Sequence, residues 1–346
     1  MASVLVVNAG STSLKLSLVD EEGSSSALTS LGEAPADIAG IGHRVVHGGP
    51  AFRAPVLLDD AMLAELRALV DLAPLHNAPA LEAIDATRRA FPAVPQVAVF
   101  DTEFHATMPA EASTSAVPER WRTQWHIRRY GFHGLSVQWA SEQVRVERLV
   151  VCHLGGGCSV SAVLDGRSVD TTMGFSPLEG VTMATRSGSL DPAAILYLLR
   201  RGAGSADEIE QVLERESGLL GLSGLSSGVE ELEGSAEPAA RLALEVYCYR
   251  IATAIGAMAV ALGGLDAVVF SGGVGEGSAL VRARVCGRLG LLGVELSDEL
   301  NAAATPDAEI AAAGSAVRVV VVRAREDVIA ARAVRAELAS RPTSPG

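Results

Sequence analysis

Short apolar runs and longer amphipathic stretches alternate along the chain. Residues 4–20, VLVVNAGSTSLKLSLVD, begin with an apolar run, pass through a turn of small polar residues and continue as an alternating run. This pattern predicts two adjacent strands. Further strands are predicted at 38–46, 96–101 and 317–322, and helices at 59–72, 78–91, 191–202, 237–262 and 326–339. Strands that alternate with helices indicate an α/β fold with at least one parallel sheet.

Two local boundaries can be predicted from residue type. Asn77 is of a residue type preferred at a helix N-cap, and Pro79 would lie in the first turn of the helix that follows. The string SGGVGEGS at 271–278 is rich in glycine and is expected to form a turn between a strand and a helix.

The turn in the first stretch is longer than a tight hairpin needs. Its four small or polar residues, 10–13, offer backbone N–H groups and hydroxyls that suit a phosphate, although a plain hairpin loop is the alternative. The segment ERLVVCHLGGGCSVSAVLDG at 147–166 repeats the pattern, with Gly155 aligned with Gly10 and Asp165 with Asp20. This weak duplication predicts two similar domains, each presenting a phosphate-friendly turn to a shared cleft.

Composition excludes several classes of function. The 346 residues are 49% hydrophobic and 20% charged, as in a globular protein of two domains. The net charge of −13 argues against nucleic acid and anionic membranes as partners. The apolar segment 251–265 is short and rich in Ala and Gly, which favours a buried helix. Four cysteines without a CxxC pair, and no signal-peptide pattern at the first residues, favour reduced core thiols and a cytoplasmic protein.

Seven short strings occur along the chain in a recognisable order. They are NAGSTSLKLSL, GHRVVHGG, APLHNAP, VAVFDTEFHATMP, YGFHGLS, MGFSPLEGVTMATRSGSLDP and SGGVGEGS. Together they resemble the acetate kinase family, a branch of the actin- and hexokinase-like phosphotransferases. The resemblance implies two ribonuclease-H-like domains, 1–105 plus 328–346 and 106–327, with the active site in the cleft between them. It also implies reversible transfer of the γ-phosphoryl group of ATP to acetate, giving acetyl phosphate and ADP, and a homodimer.

The resemblance assigns the chemistry to particular residues. Arg44 and Arg186 would grip the substrate carboxylate and the charge that develops on phosphorus, a task that suits the planar, permanently charged guanidinium. His133 would stabilise the phosphoryl oxygens in the transition state. Asp101 ends a strand, where side chains point into the ligand crevice of an α/β sheet. Glu326, with Asn8, would position Mg²⁺, or Mn²⁺ in its place.

The remaining site residues follow from the same strings. The acetate methyl group would be enclosed by Val46, Leu75, Phe132 and Pro177. Nucleotide and phosphate groups would be bound by Asn8, Ser11, Ser13, Lys15, His153, Gly155, Gly156, Gly157, Gly273, Gly275 and Glu276. His76 and His153 are assigned positional roles near the cleft, while His43, His47 and His105 are expected to be structural.

The chain departs from the family pattern mainly at its nucleotide end. Gly156 and Gly277 stand where the family has Asn, and Gly228-Val229-Glu230 stands where it has Asp-Phe-Arg. Residues 21–40 are also too short for the helix that the family carries there. These changes leave open a carboxylate kinase with propionate or butyrate as acceptor, or with pyrophosphate or another donor. A catalytically weak ligand sensor is a third possibility, which the intact arginines, His133 and Glu326 disfavour.

Overall fold

The structure is a computed structural model that describes residues 3–9, 14–70 and 74–340, without the side chains of 74–76. The chain divides into two compact units. Unit 1 comprises Met1–Ala106, Phe132–Trp139 and Arg325–Gly346, and unit 2 comprises Thr107–Gly131 and Ala140–Ala324. The α/β fold expected from the sequence is confirmed.

Each unit is built around a six-stranded mixed sheet. The strands of unit 1 are β1 Val4–Ala9, β2 Leu14–Val19, β3 Ser25–Leu28, β4 Gly40–Val45, β5 Val56–Leu57 and β6 Gln96–Phe100. Those of unit 2 are β7 Arg148–Leu154, β8 Cys158–Leu164, β9 Arg167–Thr171, β10 Ala267–Ser271, β11 Ala308–Glu309 and β12 Arg318–Val321.

The two sheets have the same topology. Unit 1 has the order β3-β2-β1-β4-β6-β5, and unit 2 has the matching order β9-β8-β7-β10-β12-β11. In each sheet the first two strands form an antiparallel hairpin and the central three run parallel. The duplication read from the two glycine-centred hairpins therefore extends to the whole sheet.

Helices flank both sheets. Unit 1 has α1 Asp60–Ala68, α2 Pro74–Ala90 and α14 Glu326–Ala339, and the chain passes from unit 1 to unit 2 within α5 Gly134–Gln143. The helices of unit 2 are α3 Ala110–Ser113, α4 Glu119–Gln124, α6 Pro192–Arg200, α7 Ala206–Gln211, α8 Gly218–Ser223, α9 Val229–Glu233, α10 Pro238–Leu262, α11 Gly272–Gly277, α12 Ala279–Cys286 and α13 Asp298–Ala303. A π-helical segment, Val212–Glu216, joins α7 to α8.

Close packing of α14 on the parallel strands fixes the core of unit 1. The helix lies against β1, β4 and β6, and Val334 is fully buried there. A Cβ atom at Gly40 or Gly42 on β4 would come within 2.8 or 2.9 Å of a Val334 methyl group. Glycine at these two positions thus lets the helix approach the strand closely, and the first residue of α14 is held near the sheet edge.

Two local expectations were wrong, and both fail for the same reason. Asn77 does not cap a helix, because α2 begins at Pro74 and Asn77 lies within it. Its buried amide instead accepts from the His47 N–H at 3.1 Å and donates to the His47 carbonyl at 3.1 Å. The glycine-rich segment after β10 is also not a turn but the short helix α11. Tertiary hydrogen bonds outweigh local residue preference at both places.

The boundaries of the units differ from the predicted domain limits around residues 132–139. The Gly134 N–H donates to the Asp101 carbonyl at 2.9 Å, and His105 Nε2 bonds the Phe132 carbonyl at 2.9 Å. These hydrogen bonds attach the start of α5 to the loop after β6. The predicted limits gave this segment to the second domain, since contacts between such distant parts of the chain leave no local signal.

The core of unit 2 centres on α10. The helix ends at the predicted residue, where Gly263 closes it in the left-handed conformation. The helix is long and apolar enough to cross a membrane by composition alone, but half of its most apolar window is buried against the rest of the unit. It packs on β7, β8 and α8. All four cysteines are buried and free, as expected for core thiols.

Substitutions on the two faces of α10 should differ sharply. Ile255 is 0% exposed and Val260 is 81% exposed. We expect Ile255→Ala to lower the free energy of unfolding by about 2–5 kcal/mol, because it leaves a cavity in a packed core. Val260→Ala is the matched control and should change it by less than about 0.5 kcal/mol. Urea unfolding of both variants gives the comparison, and equal stabilities would contradict a core role for this face.

Candidate active site

Three polar side chains form a row across neighbouring strands of the unit 1 sheet, near the carboxyl ends of β1 and β4. Asn8 on β1 is in register with Lys15 on β2 and with Arg44 on β4. Residues aligned on neighbouring strands project from the same face of the sheet. β1 and β4 are parallel, so both side chains near their carboxyl ends lie where α/β sheets bind ligands.

Arg44 and Asp101 form a buried, bidentate ion pair. Arg44 Nε donates to Asp101 Oδ1 at 2.8 Å, and Nη2 donates to Oδ2. The Asp101 side chain, which directly follows β6, is 1% exposed. Arg44 Nη1 donates to Asn8 Oδ1 at 3.0 Å. Burial tends to lower the pKa of Arg44, but Asp101 and Glu326 raise it above its ordinary value, so the guanidinium stays charged.

Glu326 completes this group from the first position of α14. Its Oε2 accepts from Asn8 Nδ2 at 3.4 Å and lies 3.9 Å from Arg44 Nε. The predicted metal-positioning pair, Asn8 and Glu326, is thus brought together with Arg44 and Asp101. Within the described ranges, no group of three or more His, Cys, Asp or Glu side chains is placed to hold a metal. Both Asp101 oxygens are bonded to Arg44, but the Glu326 carboxylate with the Asn8 amide beside it does fit Mg²⁺, which needs only one or two protein carboxylates and keeps several water ligands.

His133 is held beside this group in a strained conformation. It precedes α5 with a φ of 60° and is buried. A left-handed φ is uncommon for a residue other than glycine and is found at functional sites. The next residue must be glycine, because a Cβ atom at Gly134 would lie 2.3 Å from the Asp101 carbonyl oxygen. The backbone of Asp101 therefore anchors His133 while its side chain anchors Arg44.

Two of the predicted methyl-pocket residues are buried in unit 1. Val46 is 6% exposed and Phe132 is fully buried. The Phe132 ring meets the His47 ring edge-on, with the centroids 5.3 Å apart. Burial lowers the pKa of His105, which bonds the Phe132 carbonyl, to about 4. A neutral, buried His105 agrees with the structural role expected for it.

Some predicted residues fall outside the description. Ser11 and Ser13 lie among residues 10–13, and the side chains of Leu75 and His76 belong to 74–76. Their assigned contacts with phosphate, substrate and cleft stay predictions.

Unit 2 brings Arg186 and Pro177 together. Arg186 Nη1 donates to the Pro177 carbonyl at 2.7 Å. On its other edge, Arg186 Nε lies 3.5 Å from Glu214 Oε2. Sequence reasoning missed Glu214, because it stands in the charged string ERES, which is typical of a solvated helix surface.

The glycine turn of unit 2 follows β7. His153 near the end of β7 is paired in register with Ser271 on β10. Within the turn, the Gly155 N–H donates to the Gly157 carbonyl at 3.0 Å, and the Gly156 carbonyl accepts from the Ala184 N–H at 3.2 Å. A Cβ atom at Gly156 would meet nothing within 4 Å. The turn is therefore well defined, and the space around Gly156 is open.

The predicted nucleotide residues of α11 have mixed surroundings. Gly273 is exposed, but Gly275 is buried against the backbone of Phe270. Glu276 Oε1 accepts from the N–H groups of Gly272 at 3.1 Å and Ala324 at 2.9 Å. The structure thus gives Gly275 and Glu276 packing and bracing roles, and their contact with a nucleotide stays a prediction.

An arginine that sequence reasoning missed braces these glycines. Arg282, 1% exposed, donates to the carbonyls of Gly275 and Glu276 and so ties α11 to α12. Glu230, which the departures place at the nucleotide end, is exposed in the first turn of α9, and its approach to a nucleotide stays a prediction. Arg282 could not be recognised in advance, because the string ALVRARV gives no sign of which arginine turns inward.

Comparison with known proteins identifies the family. The acetokinase family model matches residues 26–332. The chain belongs to the acetokinase family. An acetate kinase of a Synechococcus species is 46% identical over 303 residues, which are 84% of this chain and 75% of that protein. An acetate kinase of Deinococcus deserti is 48% identical over 317 residues, covering 88% of this chain and 79% of that protein.

Solved structures show the same fold in other acetokinases. A propionate kinase from Francisella tularensis superposes with a TM-score of 0.88 and 32% identity, over 96% of this chain and 99% of that one. An acetate kinase from Porphyromonas gingivalis superposes with a TM-score of 0.86 and is 30% identical in sequence, over 98% of this chain and 100% of that one. The resemblance carried by the seven strings is thereby confirmed for both family and fold.

Glu103, two residues beyond Asp101, predicts a pH-dependent stability. Burial raises the pKa of its carboxyl from 4.5 to about 7, and Oε2 has no hydrogen-bond partner among the described residues. Between these two values the folded protein binds more protons than the unfolded chain, so stability should fall as pH rises through this window.

We expect Glu103→Gln to remove that dependence. The variant should be more stable than the wild type at pH 8 and equally stable at pH 4, as measured by the urea midpoint. The exposed Glu82→Gln is the control and should keep the wild-type profile. A wild-type profile in the Glu103 variant would show that this carboxyl is not held protonated.

Proposed function

We propose that this protein is an acetate kinase, which reversibly transfers the γ-phosphoryl group of ATP to acetate to give acetyl phosphate and ADP. The observation that carries the proposal is identity of 42–50% with proteins named acetate kinase over most of the chain. The grouping of Asn8, Arg44, Asp101 and Glu326 at one strand edge supports it, because phosphoryl transfer between anions needs fixed cations and metal-binding carboxylates.

Each residue has a role that its surroundings support. Arg44, fixed by Asp101 and Asn8, would bind the acetate carboxylate and offset the negative charge of the approaching phosphoryl group. Arg186 would stabilise charge developing on phosphorus, and His133 would donate to a phosphoryl oxygen. Because all three are held before substrate binds, little reorganisation would be needed during transfer.

Asn8 and Glu326 would hold Mg²⁺, with Mn²⁺ as a substitute. When bound there, the cation would neutralise phosphate charge and orient the transferred group. The site contains two acidic side chains, Asp101 and Glu326, but one arginine, Arg44. A divalent cation would therefore offset the excess negative charge of the site.

Propionate is the second candidate acceptor. The specific observation in its favour is the likeness to the Francisella tularensis propionate kinase. The buried Val46 and Phe132 would limit the size of the acyl group, but one extra methylene changes binding by only about 1–3 kcal/mol. Acetate is therefore proposed as the better of two usable acids.

ATP is the proposed donor, with pyrophosphate as the alternative that the altered nucleotide end leaves open. Gly156 and Gly277 lack the asparagine side chains that the resemblance leads one to expect, and a Cβ atom at either meets nothing within 4 Å. Missing donors predict weaker ATP binding than in relatives that carry the asparagines, by roughly 10–100-fold for each lost hydrogen bond to a charged group.

A single assay tests these proposals. Acyl phosphate formation is measured with acetate, propionate and butyrate, and with ATP, GTP and pyrophosphate. We expect acetate with ATP to give the highest kcat/KM and a metal chelator to abolish turnover. Arg186→Ala should lower kcat/KM by roughly 10²–10³ while the fold survives, whereas the exposed Arg167→Ala should not. Absence of acyl phosphate with every pair would refute the carboxylate kinase proposal.

The protein is also proposed to form a homodimer through α6. This helix, PAAILYLLR, has no buried residue, and Leu196 and Tyr197 are 53% and 55% exposed. A helix that is apolar on all sides is normally covered. In a twofold dimer the same surface of two copies meets, so the uncharged stretch 192–199, which precedes Arg200, can pair with itself without a second type of partner.

Leu196→Glu should convert the dimer to a monomer. Wild-type protein should sediment at about twice the chain mass of 35.7 kDa, and the variant at the chain mass, because the new carboxylates would be buried against each other. Leu291→Glu is the control, since Leu291 is 87% exposed on a different segment. A wild-type monomer at micromolar concentration would refute the proposal.

A further inference from the structure

We propose that Glu214 is a positioning residue for Arg186, which sets the plane of the guanidinium before substrate binds. The inference deepens the proposed function and rests on it, since it concerns how the arginine assigned to the phosphoryl group is held. Its basis is the ion pair between Glu214 Oε2 and Arg186 Nε, 3.5 Å apart, inside unit 2.

The backbone carrying Glu214 is joined to the loop carrying Arg186. Thr185 Oγ1 donates to the Glu214 carbonyl at 2.8 Å. The Ser187 N–H donates to the Leu213 carbonyl at 3.0 Å, and the Ser217 N–H donates to the Thr185 carbonyl at 2.9 Å. The residues on both sides of Arg186 are therefore fixed to the segment from which Glu214 projects.

That segment is the π-helix Val212–Glu216 between α7 and α8. A π-helical turn accommodates an extra residue, is rare, and often marks a functional site. Regular α-helix over these residues would change which side chains face the Arg186 loop. The unusual geometry is thus tied to the placement of a carboxylate against the arginine.

Arg186 is held on two different nitrogens. Glu214 lies at Nε, and the Pro177 carbonyl accepts from Nη1 at 2.7 Å. Because the guanidinium is planar and rigid, partners at two of its nitrogens fix both its position and its plane. The same contact links Arg186 to Pro177, which the family resemblance assigns to the methyl pocket.

A purely stabilising role explains the pair poorly. The side chains of Arg186 and Glu214 are only 15% and 12% exposed, so both charges lose much of their hydration. Burial raises the pKa of Glu214, and Glu210 adds repulsion, while Arg186 and Arg215 favour the charged form. Partly buried pairs of this kind contribute little net stability, whereas a fixed cation matters greatly for transfer.

The test compares Glu214→Ala and Glu214→Gln with the control Asp207→Asn, which removes a charge from an exposed site on α7. We expect Glu214→Ala to lower kcat by about tenfold or more, since displacing a catalytic group by 1 Å can cost roughly a hundredfold. KM for the acid and for ATP should change by less than about twofold, because the interaction that is lost acts in the transition state rather than in substrate binding. Glu214→Gln keeps an oxygen that can accept from Nε and should recover most of kcat.

A double-mutant cycle separates positioning from simple stabilisation. In the Arg186→Ala background, Glu214→Ala should lower kcat no further, because the side chain that it positions is gone. Equal losses in both backgrounds would overturn the proposal, as would a Glu214→Ala variant that turns over as fast as Asp207→Asn. Should Glu214→Ala fail to fold, Glu214→Met, which keeps the side-chain length but offers no oxygen to Arg186 Nε, carries the same comparisons.

Wild-type turnover distinguishes this inference from the proposed function. Acyl phosphate formation by the wild type establishes the reaction before any variant is compared. An active wild type with an unaffected Glu214→Ala variant refutes the positioning role alone. A wild type that forms no acyl phosphate refutes both.

Discussion

The buried ion pair between Arg44 and Asp101 is the interaction on which the unit 1 site depends. A carboxylate that is 1% exposed is strongly destabilised without a partner, and the guanidinium supplies two parallel hydrogen bonds to it. The pair joins the ends of β4 and β6, while Asn8 and Glu326 add β1 and α14 through further hydrogen bonds. One guanidinium thus ties together three parallel strands and a helix at the edge where ligands bind.

Asp101 also acts through its backbone. Its carbonyl accepts from the Gly134 N–H, which places His133 at the start of α5 in a left-handed conformation. The absence of a side chain at Gly134 is what permits this close approach. A single strand end therefore sets the positions of an arginine and a histidine, so small changes at Asp101 would be felt by both.

The two units show how one scaffold carries different chemistry. Their sheets share strand order, yet the equivalent strand ends hold Asn8 and Arg44 in unit 1 but His153 and Ser271 in unit 2. Unit 2 supplies its arginine from a loop, where Arg186 is held by a neighbouring π-helix rather than by a strand. Function here is a property of side chains placed on the fold, and the shared topology alone does not predict it.

Sequence by itself determined the parts of this protein that depend on local pattern: the paired hairpins, the parallel strands, the bounds of α10 and α14, and the family strings with Arg44, Asp101 and His133. Tertiary structure alone decided that Asn77 lies inside a helix, that residues 272–277 are helical, and that Glu214 meets Arg186. The physical reason is the distance along the chain over which each interaction acts. Hydrophobic periodicity and capping act within a few residues, whereas a buried polar side chain takes its place from whichever partner, however distant in sequence, offsets the cost of its burial.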